Sequence, residues 1–204
     1  MFGLYVQYSI RGAGIVVFSD QRIKSNVVDI NDITALDQVR LLKPKYYEYV
    51  DKVTRGSSSV IGFLAQDVKE VLPRAVEVGD GEIPNIYETA TISSNNTVAF
   101  INFNTSNLEG TNCTLIAYLA KDERKEIHIM EVVDEHTVRV EEDMSEWGGQ
   151  LFVWGQTVDD FHHLNKDYIW TVATAALQEV DRQLQAEKAR NDTLEARILA
   201  LESA

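Results

Sequence analysis

At 204 residues, with 45% apolar and 25% charged side chains, the chain has the make-up of an ordinary globular protein of one or two domains. A formal net charge of -13 repels phosphate backbones, which argues against a nucleic-acid partner, and no basic cluster is stronger than Lys43 and Lys45. Cys113 stands alone, excluding an intrachain disulfide and a cysteine-built metal site, and no apolar run approaches the roughly 18 residues of a membrane span.

Residues 1–18 are β-branched and aromatic, interrupted by Gly3, Gly12 and Gly14, and read as the end of a longer β structure. The polar stretch Ser19-Asp20-Gln21-Arg22-Ile23-Lys24 follows. Asn31 caps a helix expected over 33–42 and ended by Pro44, with Ile33, Leu36 and Val39 on one face. A strand is expected over Tyr46–Val50, a loop over 55–59, and a second helix over Ala65–Leu72, stopped by Pro73. Val76-Glu77-Val78 reads as a strand closed by a Gly79-Asp80-Gly81 turn.

The texture changes near residue 95. Thr97–Phe100, Thr114–Tyr118, Glu126–Val133, Thr137–Val140 and Leu151–Trp154 alternate or are β-branched, with turn signals at 109–112 and at Gly148-Gly149. They predict an antiparallel module. From Leu164 or Asp167 onward the chain has no Gly or Pro and reads as one long helix. Trp170, Ala173, Leu177, Val180, Leu184, Glu187, Asn191, Leu194, Ile198 and Leu201 recur at alternating spacings of three and four, a heptad seam with two polar interruptions. Such a helix outruns any body the remaining residues can build, so its far end calls for partner helices.

Chemistry-bearing residues are few. Ser19 and Lys24 offer a nucleophile and a base, or simply a polar turn between two β segments. Arg22 is placed either to lower the lysine's affinity for its proton or to pair with Asp20. His162 and His163 are adjacent in one segment and seldom converge on one ion. His128, between Ile127 and Ile129, reads as a solvent-facing strand residue, and His136 as a turn residue. No metal and no cofactor are expected.

The order of these blocks carries a resemblance. Ser19–Lys24, then Leu41-Leu42-Lys43-Pro44-Lys45-Tyr46-Tyr47-Glu48-Tyr49, then Gly62-Phe63-Leu64-Ala65-Gln66-Asp67-Val68, then Leu72-Pro73-Arg74-Ala75-Val76 resemble the endosialidase-type intramolecular chaperones. These are autoprocessing serine peptidase domains at the C-terminus of phage tail spikes and fibres. The likeness covers about residues 10–90 and 160–204, and the intervening β module resembles longer variants in large DNA viruses. It implies an α+β fold: a small mixed chaperone core at 19–94, an inserted antiparallel β module at 95–158 and a coiled-coil helix at 159–204, with 1–18 as the end of an upstream stem. It implies a homotrimer whose seam is Trp170, Leu177, Val180, Leu184, Asn191, Leu194, Ile198 and Leu201. Ser19 is then the nucleophile and Lys24 the general base, with Asp20 and Arg22 in support, and the scissile bond is Ser19–Asp20. A hydroxyl reaches the preceding carbonyl through a five-membered ring but its own only through a four-membered one, so Phe18–Ser19 stays open as the bond cut. The expected partners are two more copies and the chain's own upstream β-stem, with neither nucleic acid nor membrane. The expected place is the virion, or the host cytoplasm during virus assembly, for a soluble chain without a signal peptide. The alternative is a non-catalytic trimerisation or attachment module of a virion structural protein.

Overall fold

The computed structural model describes residues 18–93, 95–108, 113–119 and 123–203. The expected stem end at residues 1–17 and the turn at 109–112 lie outside them. Among the described residues there are four α-helices and nine strands, the last seven strands consecutive apart from a 3-10 turn, and they bury two separate apolar cores.

The first core is helical. Helix α1 (Asp32–Leu41) is capped by Asn31, whose side chain accepts from the Thr34 N–H, and it buries Ala35 and Leu36. Ile33, expected on the same face, is exposed instead, because the helix turns its Ala35 side to its neighbour. That neighbour is α4 (Lys166–Glu202), which contributes Ile169, Val172, Ala175 and Ala176. Helix α3 (Ala65–Val71) ends before Pro73 and adds Val68, with Leu72, Ala75 and Val76 completing the cluster. A short hairpin-like pair flanks it: β1 (Lys45–Tyr47) runs antiparallel to β2 (Val60–Gly62). The strand expected over 46–50 stops at Tyr47, and the four-residue helix α2 (Lys52–Arg55) occupies part of the expected loop.

The second core is the inside of a closed antiparallel barrel. Its strands are β4 (Glu88–Ser93), β5 (Thr97–Ala99), β6 (Thr114–Leu119), β7 (Glu123–Asp134), β8 (Thr137–Val140) and β9 (Gln150–Leu164). They pair in the order β9-β4-β5-β8-β7-β6, and β6 returns to β9 to close the ring. Alternation sends Val138 and Val140 of β8, and Leu151 and Val153 of β9, inward with Leu115, Ala117 and Ile127. Strand β3 (Val76–Ile83) pairs only with the far half of β9, so a two-stranded ribbon leads from the barrel back to the helices. The expected Gly79–Gly81 turn does not form: β3 runs through it, and the extra residue of the local bulge lies on β9 between Phe161 and Val158. The sheet takes strands from both sides of residues 94 and 158, and the long helix begins at Lys166. Gly155 marks the crossover from ribbon to barrel. A Cβ there would collide with the Ile83 carbonyl, so only glycine lets β3 pass.

One buried carboxylate joins the two halves. Asp51 is 4% exposed and caps α2 by accepting from the Thr54 N–H at 3.0 Å and its hydroxyl at 2.5 Å. It also accepts from Trp154 Nε1 at 3.1 Å and the Tyr87 hydroxyl at 3.2 Å. Trp154 is free to reach it because it is the extra residue of a bulge: β6 advances from Ile116 to Ala117 while β9 steps from Gly155 to Val153. Burial pushes the Asp51 carboxyl up, but the hydrogen bonds from Thr54, Trp154 and Tyr87 outweigh it and bring it down to about 2. Because the folded value lies below the unfolded one, this contribution is complete above the ordinary aspartate range. It is lost as pH falls from about 4 toward 2, and amounts to about 2 kcal/mol. Asp51→Ala is expected to cost about 2–3 kcal/mol in urea unfolding at neutral pH. The gap between variant and wild type should shrink between pH 4 and pH 2, and an unchanged gap would show that the carboxylate's charge is not what holds the joint.

Candidate functional site

The polar stretch folds into a single 3-10 turn, Gln21–Ile23. Asp20 caps it, its carboxylate accepting from the Arg22 N–H at 2.8 Å, while the Lys24 N–H donates to the Gln21 carbonyl at 3.0 Å. The Asp20 side chain also receives the Arg22 guanidinium, at 3.0 Å from Nε and 2.7 Å from Nη2. Those bonds hold the Asp20 carboxyl below its ordinary range. Arg22 is thus committed to Asp20, which answers the question of which partner it serves.

The turn brings the ends of the stretch together. Lys24 Nζ donates to Ser19 Oγ at 2.7 Å. Both residues are exposed, as is every residue from Phe18 to Ile30, with Phe18 at 99%. A lysine amine takes a serine's proton only where burial or a nearby cation displaces its own. Ser19 and Lys24 thus lie within hydrogen-bond distance on an open surface, and the described residues do not bury them.

The seam residues lie on one face of α4. Its other face, Ile169, Val172, Ala175 and Ala176, is covered by the chain's own core. Trp170 is 76% exposed, Leu177 69% and Leu201 78%, and Val180, Leu184, Leu194 and Ile198 are open as well. Asn191 is exposed and Ala173 half-buried. At the upper end of the seam an open groove of about 570 Å³ runs between Asp29-Ile30 and the helix, lined by Asp32, Trp170, Thr174 and Gln178. Val28 and Val53 add apolar surface in the first part of the chain. Apolar exposure on this scale is a docking signature rather than ordinary surface.

Charge fastens α4 to α1. Arg182 pairs with Asp32 in the first turn of α1 and with Glu179, a buried carboxylate that also accepts from Gln183 Nε2 at 2.7 Å. Neither this clasp nor the Asp51 joint was visible in the sequence. Asp51 offers only a local capping signal, and its partners Tyr87 and Trp154 lie far along the chain.

The histidines do not converge. His162 and His163 sit opposite Val78 and Glu77 on the ribbon, and among the described residues no group of three or more His, Cys, Asp or Glu is arranged to hold a metal. No described helix is long and apolar enough to cross a membrane. His136 lies in the turn between β7 and β8, as expected. His128 is an exposed strand residue whose Nδ1 lies 2.6 Å from a Glu142 carboxylate oxygen.

Residues 19–77 match the family model of peptidase S74, described as chaperone of endosialidase. The match opens on Ser19 and closes within β3. A relative, an uncharacterized protein VP1 of Micromonas pusilla reovirus (isolate Netherlands/2005), is 36% identical over 245 aligned residues, covering 97% of this chain. The chain corresponds to 13% of that relative's length. The likeness therefore takes in the barrel and the long helix as well as the chaperone segment.

The Glu142 side chain raises the His128 pKa, so the imidazolium persists above the ordinary histidine range. An NMR titration of Glu142→Gln is expected to return His128 to that range without disturbing the barrel. An unshifted midpoint would show that the pairing is not made in solution.

Proposed function

We propose that the chain is an intramolecular chaperone that trimerises, holds an upstream stem of its own polypeptide in register, and then cuts itself free once at Ser19. The reading is carried by one observation: the family-matched segment opens on a serine whose hydroxyl lies 2.7 Å from a lysine amine. The open seam of α4 and the viral relative support the setting, a virion fibre or spike assembled from three chains. Winding three β chains carries a high registration cost, and joining their C-terminal ends first lowers it.

In this reaction Lys24, buried by a neighbouring copy, loses its proton and accepts that of Ser19. Ser19 Oγ attacks a carbonyl carbon, and the tetrahedral species expels the amine, which takes the proton from Lys24. Water then hydrolyses the ester and regenerates the hydroxyl. Attack on the Phe18 carbonyl closes a five-membered ring within the chain. Cutting Ser19–Asp20, the family's bond, calls instead for a serine from a neighbouring copy or for a water that Lys24 activates. Asp20 and Arg22 hold the turn that fixes the distance between the two groups. Since Lys24 is exposed in the single chain, cutting in this reading waits on assembly.

The second reading, a trimerisation or attachment module with no cutting, rests on that same exposure of the pair. Intact mass separates the two. Wild type carrying its stem should yield two pieces whose masses identify the bond cut, and Ser19→Ala and Lys24→Ala should stay whole; a wild-type chain that is trimeric and uncut would leave only the attachment module. Leu194→Asp combined with Ile198→Asp is expected to abolish both assembly and cutting. Complete cutting by that monomer would refute the dependence on assembly.

A further inference from the structure

The two-stranded ribbon that leads from the barrel to the helices has a side to spare. Among the described residues β3 pairs with β9 and with no other strand. A two-stranded sheet is marginally stable alone in water and gains from a third strand. This one is held at its ends. Val76 and Leu164 pack into the helical core, and Glu82 pairs with Arg124 of the barrel at 2.8 Å. Between those ends Glu77, Val78 and Asp80 of β3, and Asp159 and Asp160 of β9, are exposed.

Edge strands are commonly closed by a lysine, a proline or a bulge of their own. Strand β3 has neither lysine nor proline, Pro84 comes only after its end, and the local bulge lies on β9. Negative charge is its guard. Glu77, Asp80 and Glu82 lie on β3, and Asp159 and Asp160 on the adjoining part of β9, with no lysine or arginine in either stretch. Arg124 takes Glu82, and among the described residues the other four carboxylates have no ion-pair partner. A second β3 laid along this edge would bring acid near acid, whereas a strand bearing lysine or arginine gains cross-strand attraction.

The shape of the ribbon is as selective as its charge. Residues paired across it share a face, so Gly79 stands with Phe161 and Glu77 with His163. The Phe161 side chain lies over Gly81, where a Cβ would come within 2.5 Å of it, and its ring packs edge-to-face on His163 with centroids 4.9 Å apart. A Cβ on Gly79, by contrast, would touch nothing within 4 Å. That leaves an open slot beside an aromatic ring on the edge strand.

We propose that the outer edge of β3 docks an extended basic peptide of another protein, which joins the ribbon as a third strand. The peptide places a bulky apolar side chain opposite Gly79 and lysine or arginine opposite Glu77 and Asp80. Docking here depends neither on cutting at Ser19 nor on assembly.

The test is fluorescence anisotropy of the full chain with a labelled peptide of eight residues, threonine and valine at its ends and lysine-tyrosine-tyrosine-lysine at its centre, a centre that fits either strand direction. Wild type is expected to bind it, and more weakly in 1 M salt. Glu77→Lys plus Asp80→Lys should weaken binding at least about tenfold and confer binding of the same peptide with glutamate in place of lysine. Gly79→Val fills the slot and should also weaken binding. A fully N-methylated peptide, which keeps the charges but donates no backbone hydrogen bond, should not bind. Absence of binding by wild type, or charge reversal without a swap of preference, overturns the proposal. Equal binding of the N-methylated peptide overturns it as well, leaving charge attraction alone. Near-UV circular dichroism should be unchanged in both variants; a changed spectrum in both would show that these residues hold the ribbon rather than border a free edge, and would also overturn it.

Discussion

Helix α4 has two apolar faces, and the chain can cover only one. Ile169, Val172, Ala175 and Ala176 are spent on α1 and α3, and this contact makes the helical core. The adjoining face, from Trp170 to Leu201, is left open by the described residues. At about 25 cal/mol per Å² of apolar area, leaving several large side chains in water is a standing drive toward association. The clasp of Arg182 on Asp32 and Glu179 holds the helix at a fixed angle to the body, so the open face presents a defined surface.

The same contrast of covered and uncovered runs through the chemistry. The Ser19–Lys24 geometry is set by a local turn and needs no help from the rest of the fold. Its environment is another matter, because a lysine works as a base only when dry. Here the geometry is encoded locally, while the described residues leave the pair in solvent. The Asp20–Arg22 pair fits this division, since both groups belong to the turn and are satisfied without any contact beyond it.

How much of this was legible depended on whether the signal was local. The Asn31 cap, the Pro73 stop and the heptad spacing of α4 lie within a few residues of what they specify, and each element formed where the sequence placed it. The Gly79–Gly81 stretch misled because glycines occur within strands as well as in turns, and only the opposing strand, which carries the bulge between Phe161 and Val158, shows that β3 continues. Strand β4 went unread because Thr89-Ala90-Thr91 is weakly apolar, and its burial comes from β5 and β9 on either side. Ring closure by β6 and β9, and the Asp51 joint to Tyr87 and Trp154, link residues far apart in the chain. No window along the sequence contains them. For the candidate site, the Ser–Lys spacing was visible, whereas its exposure became visible only with the fold.

The closed barrel has a consequence for crowding. Where chains meet at high local concentration, any free strand edge is a template for the wrong pairing. Within the ring each of the six strands already has a neighbour on both sides, through the β6–β9 contact. Most of the ring's edges are therefore closed within the chain, and β3, paired only with β9, keeps an open outer edge on the ribbon. A sheet so paired offers few backbone amides to any strand it meets, and leaves selectivity to side chains.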